Sequence, residues 1–158
     1  MRLVENFMHK GLREVEKSMA DAVRFHFNVD GQNFTSAGQA SVAVKKSLRQ
    51  IGISPETIRR VSIAMYEGEI NMVIHAGGGE AEVLVYEDMI EIILTDTGPG
   101  IPNVQLAMQE GFSTSTDNIR SLGFGAGMGL PNMKKYTDYM NIETELGKGT
   151  RITMRVNF

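Results

Sequence analysis

The sequence predicts an α+β fold: a two-layer α/β sandwich with helices on one face of a mixed, mostly antiparallel sheet. Three observations carry that expectation. Helical periodicity collects in the first half of the chain, two-residue alternation collects in the second half, and no regular strand–helix–strand succession builds a doubly wound parallel sheet. With 158 residues and 42% hydrophobic content, the chain holds enough apolar material for one core.

Taken in order, Leu3, Val4, Phe7, Met8, Leu12, Val15, Met19 and Ala22 recur at helical spacing, with Arg2, Glu5, Lys10, Arg13, Glu16 and Lys17 opposite. Residues 1–23 therefore read as an amphipathic N-terminal helix ahead of a domain over 24–158. Its apolar stripe could form a homodimer, dock a partner or pack on the chain's own sheet. Arg24 to Val29 alternates as a strand, and Asn28 to Gly31 supply turn residues. A second helix is expected from about Ser36 to Gln50, ending at Gly52. Ser54 before Pro55 is a start signal for a third, because serine caps and proline suits the first helical position. That helix should stop at Gly77-Gly78-Gly79. Ala81 to Tyr86 and Met89 to Thr95 read as a hairpin about the Glu87-Asp88 corner. Residues 103–121 are polar and rich in Ser and Thr, a long loop of the kind that carries function. Leu130-Pro131-Asn132 opens a helix through about Tyr139, and strands near Met140 to Thr144 and Thr150 to Asn157 close the chain.

Composition narrows the function classes. A net charge of -3 gives no general attraction to phosphate backbones or anionic lipid, so nucleic acid and membrane are not expected partners. The absence of cysteine removes disulfides and thiolate metal sites. No signal-peptide core and no bilayer-length apolar run is visible, which makes the cytoplasm the default location. Gly123 to Gly129 does not satisfy the dinucleotide-binding glycine pattern, and Gly147-Lys148-Gly149-Thr150 lacks the phosphate-loop spacing. Zinc-protease and nucleophile-elbow motifs are also missing.

What remains is a constellation. Glu67, Asn71 and His75 stand four apart on the third helix and form a polar stripe beside Ile63, Ile70, Val73 and Ile74; taken singly, each fits an ordinary solvent-facing position. Asp96-Thr97-Gly98-Pro99-Gly100-Ile101 ends an apolar run with a carboxylate acceptor and two glycines, which reads as a base-recognising site. Gly125-x-Gly127-x-Gly129 and Gly149-Thr150 follow.

Glu67-x-x-x-Asn71, Asp96-x-Gly98-x-Gly100, Gly125-x-Gly127-x-Gly129 and Gly149-Thr150, in that order, resemble the GHKL (Bergerat-type) family of ATP-binding domains over roughly residues 24–157. The triple glycine after His75 and the Gly-Lys-Gly-Thr-Arg-Ile-Thr strand look like its anti-sigma-factor and switch serine/threonine kinases in particular. The resemblance implies that Asp96 accepts the adenine amino proton, that Gly98, Gly100 and Ile101 let the backbone close on the base, and that Thr150 holds the ring's edge. Asn71 would hold magnesium, an ion that takes few protein oxygens. Residues 103–124 would be a lid, with Gly123, Gly125, Gly127, Met128, Gly129 and Leu130 around the phosphates at a helix start. Glu67 would be the general base acting on a partner's serine hydroxyl. Arg120 is the lid's candidate contact to the γ-phosphate or a solvated loop arginine. Gly68, beside the base where the kinases typically carry alanine or leucine, either makes room for ligand or marks drift. His75 and the Lys134-Lys135 pair read as a structural histidine and a solvated face.

The partners implied are ATP or ADP and a protein, either an anti-anti-sigma-type protein bearing the serine or a sigma factor. Two other readings stand beside the kinase: an ATP-gated binding module without catalysis, and the ATP-binding subunit of a split histidine kinase. For the last, His9-Lys10-Gly11 is a poor phosphoacceptor box.

Overall fold

Apolar alternation becomes a five-stranded sheet in the computed structural model, which describes residues 22–115, 117 and 127–158. The helix expected over residues 1–23 lies outside the described residues except at its end, where Val23 already belongs to a strand. The elements are β1 (Val23–Asp30), α1 (Gln39–Gln50), α2 (Pro55–Asn71), β2 (Gly78–Val85), β3 (Met89–Asp96), α3 (Val104–Ala107), α4 (Gly129–Lys135), β4 (Tyr139–Glu145) and β5 (Gly149–Asn157). Sheet order is β1-β2-β3-β5-β4, and every neighbouring pair is antiparallel, so the mixed character expected from sequence is absent among the described strands.

Register explains the two layers. Phe25, Val83, Ile92, Met154 and Met140 fall in one cross-strand row, and Phe27, Ala81, Leu94, Ile152 and Ile142 in the next on the same face. Against these rows pack Val44 and Leu48 of α1, Val61 and Met65 of α2, and Leu130 and Met133 of α4, forming one core. Helices on one side of an antiparallel sheet are what the alternation demands, since each strand offers the core only every second residue.

Local chemistry sets the helix ends. Ser54 caps α2 by accepting the Thr57 N–H at 3.3 Å, with Pro55 in the first turn. At its far end α2 widens into a π-helical turn, Met72–Ala76, and stops at Gly77 in the left-handed conformation (φ 70°). The stop is where the sequence placed it, but Gly78 and Gly79 already belong to β2.

Two helix boundaries differ from expectation. Phe34–Ser36 is a separate 3-10 turn, and Gly38 at φ 96° breaks the chain before α1 begins at Gln39. The α4 helix starts at Gly129 and ends at Lys135; Tyr139, assigned to it from sequence, begins β4. Within residues 103–115 the polar segment contains the short helix α3, capped by Asn103, whose side chain accepts the Leu106 N–H at 3.0 Å. No helix among the described residues is long and apolar enough to cross a membrane.

Candidate functional site

Between α2, the end of β3, the start of β5 and the start of α4 lies a cavity of about 720 Å³, within the usual size range for a small-molecule site. Glu67, Asn71 and His75 line it from one helix face, as their four-residue spacing anticipates. Asp96, Gly100, Ile101 and Thr150 line it from the strand ends. Gly127, Met128, Gly129 and Leu130 line it from the opening of α4. Arg120, Gly123 and Gly125 lie outside the described residues.

Asp96 is held by its own backbone neighbourhood. Its Oδ1 accepts the Gly98 N–H at 2.9 Å and the Thr150 N–H at 3.2 Å. Two donors fix the carboxylate in place, and Oδ2 is left without a hydrogen bond among the described residues. That oxygen only accepts once ionised, so the group it suits is an amino or N–H donor. Beside it, Thr144 joins the loop to the last strands: its Oγ1 accepts the Ile101 N–H at 2.8 Å and lies 3.0 Å from Thr150 Oγ1 and 3.3 Å from the Gly149 carbonyl oxygen. Where Thr144 donates to that carbonyl, the Thr150 hydroxyl donates to Thr144 and keeps its lone pairs for the cavity.

The glycines work differently from the sequence expectation. Gly98 does not line the cavity; a Cβ there would meet Ala76 of the π-helical turn at 2.7 Å. Gly100 does line it, at φ 78°, but its missing side chain admits the Glu145 carbonyl oxygen, 2.6 Å from where a Cβ would sit. Both glycines thus close protein on protein, which shapes the cavity wall. Gly129 brings the start of α4 against Asn71, whose amide atoms would lie 3.1 Å from an added Cβ.

Glu67 is part-buried, and its Oε1 accepts the side-chain N–H of Asn132 at 2.9 Å, so one carboxylate oxygen is anchored to α4. Sequence reasoning used Asn132 only as a helix opener; the available signal was a polar side chain in the first turn of a helix bordering the glycine loop. Glu69 is turned away and 2% exposed. Its Oε1 accepts the N–H groups of Gly38 (2.9 Å) and Ala40 (3.0 Å), and its Oε2 that of Ser41 (3.0 Å), so it caps α1 from another helix. Gly38, the N-cap of α1, has no side chain to do this.

Gly68 lines the cavity, and a Cβ there would lie 2.0 Å from Leu94 Cδ1 and 3.2 Å from Met133 Cε, so the glycine makes room for side chains of the core at the cavity wall. His75 stands at the cavity rim, where partial burial holds its imidazole below the ordinary 6.5 and favours the neutral form. Lys134 and Lys135 are exposed, with the Lys135 ammonium 5.6 Å from the Tyr136 ring centre. Gly111 and Gly127 meet at the backbone: the Gly111 N–H donates to the Gly127 carbonyl at 2.9 Å. Among the described residues no three His, Cys, Asp or Glu side chains gather as a metal site. A cation here would rely on the Asn71 amide oxygen and on oxygens that a ligand brings, a donor set that fits magnesium.

Comparison with known proteins fits this geometry. Residues 59–158 match the family described as histidine kinase-, DNA gyrase B-, and HSP90-like ATPase. The chain is 32% identical over 108 residues to the serine/threonine-protein kinase RsbT of Bacillus subtilis, covering 66% of this chain and 75% of that protein. It is 33% identical over 124 residues to the anti-sigma F factor of Clostridium acetobutylicum, covering 75% and 83%. Its fold is similar, with a TM-score of 0.60 and 15% identity, to a crystal structure of the RsbU and RsbW domains of Rv1364c from Mycobacterium tuberculosis, covering 85% of this chain and 32% of that one.

Proposed function

The chain belongs to the histidine kinase-, DNA gyrase B- and HSP90-like ATPase family, and from that premise we propose that it is an ATP-dependent serine/threonine protein kinase acting on a small partner protein. The relatives named as a serine/threonine kinase and as anti-sigma factors support this direction. One observation carries it furthest: Glu67, Asn71 and Asp96 open into the same cavity, so a base-recognising acceptor, an amide oxygen and a candidate proton acceptor serve one ligand.

Asp96 Oδ2 accepts the exocyclic amino group of adenine, with Thr150 at the ring's edge. Backbone N–H groups at Gly127 to Leu130 face the phosphates. Asn71 would hold magnesium through its amide oxygen, and the ion would supply charge neutralisation there. Glu67 takes the proton from the partner's serine hydroxyl while the serine oxygen bonds to the γ-phosphorus and the bond from that phosphorus to the β,γ-bridging oxygen breaks, releasing ADP. Asn132, by holding Oε1, aims the carboxylate so that Oε2 meets the hydroxyl. The partner is an anti-anti-sigma-type protein bearing the serine, or a sigma factor that the ATP-bound form holds.

The test is phosphoserine formation with Mg-ATP and such a partner. Glu67→Gln should retain ATP binding and lose transfer by roughly 100- to 10,000-fold, the range of a lost general base. Unchanged transfer would remove Glu67 from the chemistry. ATP binding without any transfer in the wild-type protein would instead make this a nucleotide-gated binding module.

A further inference from the structure

The start of α1 packs against Tyr66 of α2. Gly38, its N-cap, stands at φ 96°, and a Cβ there would lie 2.9 Å from Tyr66 Cε2, so the glycine lets the ring approach the helix start. Glu69 fixes the same backbone from α2 by accepting the Gly38, Ala40 and Ser41 N–H groups. Together these contacts build a second, open groove of about 380 Å³, lined by Ala37, Gly38, Val42, Ala43 and Tyr66, with Lys46 the one charged residue among those described there. Val42 is 66% exposed and Tyr66 41%, so two large apolar side chains stand uncovered in it.

We propose that this groove docks the serine-bearing partner, taking an acidic surface segment whose aliphatic or aromatic side chain seats between Val42 and Tyr66. Charge selects the partner. Between Asp30 and Glu56 the chain has no acidic residue, yet it carries Lys45, Lys46 and Arg49, all exposed and none ion-paired among the described residues. They follow Val42 by three, four and seven positions and so share its face of α1. The whole chain is at -3, which makes this basic stripe a local feature that steers an acidic partner, while the apolar groove supplies the anchor. Position links the groove to the chemistry. Tyr66 lines both the groove and the larger cavity, and Glu67 is the next residue, so a segment extending at about 3.3 Å per residue needs only a short run to bring its serine there. The role given to the groove rests on the kinase reading; its shape and charge do not.

Fluorescein-labelled peptides with a central serine are the probe, read by anisotropy against the full-length protein. An acidic peptide with leucine beside the serine should bind about tenfold more tightly than the same peptide with glycine for the leucine or lysines for the acids. Val42→Asp should weaken that peptide about tenfold or more, and the independent variant Lys45→Glu with Lys46→Glu should do the same, with wild-type affinity falling as salt is added. Both variants should bind ATP as the wild type does, because these residues lie outside the larger cavity, and that binding also reports an intact fold. Equal binding of the peptides, no binding of any, or no loss on either substitution would overturn the docking site. So would self-association of the wild type that Val42→Asp abolishes, since a second copy would then fill the groove. The two readings fail separately. Groove-dependent binding without phosphate transfer from Mg-ATP to peptide or partner ends the kinase reading and leaves the docking site, whereas transfer to the partner that Val42→Asp leaves unchanged ends the docking site and keeps the kinase.

Discussion

Two glutamates two residues apart on α2 do unrelated work. Glu67 faces the cavity, while Glu69 is buried and receives three backbone N–H groups from the start of α1. Glu69→Ala should destabilise the fold by about 3 kcal/mol, because hydrogen bonds to a charged group are lost and their buried donors are left without partners. Urea denaturation measures it, and a loss below about 1 kcal/mol would mean that water replaces the carboxylate. At this scale the sequence was half legible. The four-residue spacing of Glu67 and Asn71 announces a shared face, whereas the partners of Glu69 lie up to 31 positions away and leave no local trace. Asp96 is similar: its place at a strand end is readable, but its bond to the Thr150 N–H, 54 residues on, is a tertiary fact.

The helix α2 shows what elements reveal before folding. Its start was legible because capping is local chemistry: Ser54 and Pro55 act within one turn. Its stop was legible because Gly77 tolerates positive φ. Gly68 was not, because its reason is Leu94 on a strand beneath. Gly68→Ala therefore sets a helix-propensity gain of about 1 kcal/mol against overpacking of about 1 to 3 kcal/mol. A net destabilisation of about 1 kcal/mol is expected, read as a lowered urea midpoint; a stabilised variant would show that Leu94 and Met133 yield freely. The boundary of α1 was missed for the same kind of reason: helical periodicity runs through Ser36, but Gly38 takes the left-handed conformation and its N–H goes to a distant carboxylate.

Across the molecule, α2 is clamped to the far edge of the sheet by Arg60, whose Nη2 lies 2.9 Å from Asp138 Oδ2, while the Asn157 N–H donates to that same oxygen at 2.8 Å. The Asn157 bond, followed by Arg60, holds the Asp138 carboxyl below its ordinary 3.8. A depressed carboxylate stabilises the fold above its unfolded value and loses that contribution as pH falls through the folded one. Asp138→Asn should thus be less stable than the parent at neutral pH, with the gap closing once both are taken below pH 3.8; a gap independent of pH would assign it to packing alone. The overall plan was legible in the ordering of periodicities, although only pairing reveals that every described strand neighbour is antiparallel. One further property follows from the Gly111–Gly127 hydrogen bond. A Cβ at Gly127 would sit 2.4 Å from the Gly111 carbonyl carbon, so the two ends of the intervening segment meet at the backbone. With the two positions tied there, doubling the length of chain between them adds only about 0.6 kcal/mol of closure entropy. An insertion between Gly111 and Gly127 should therefore leave the register of the strands unchanged at little cost in closure entropy.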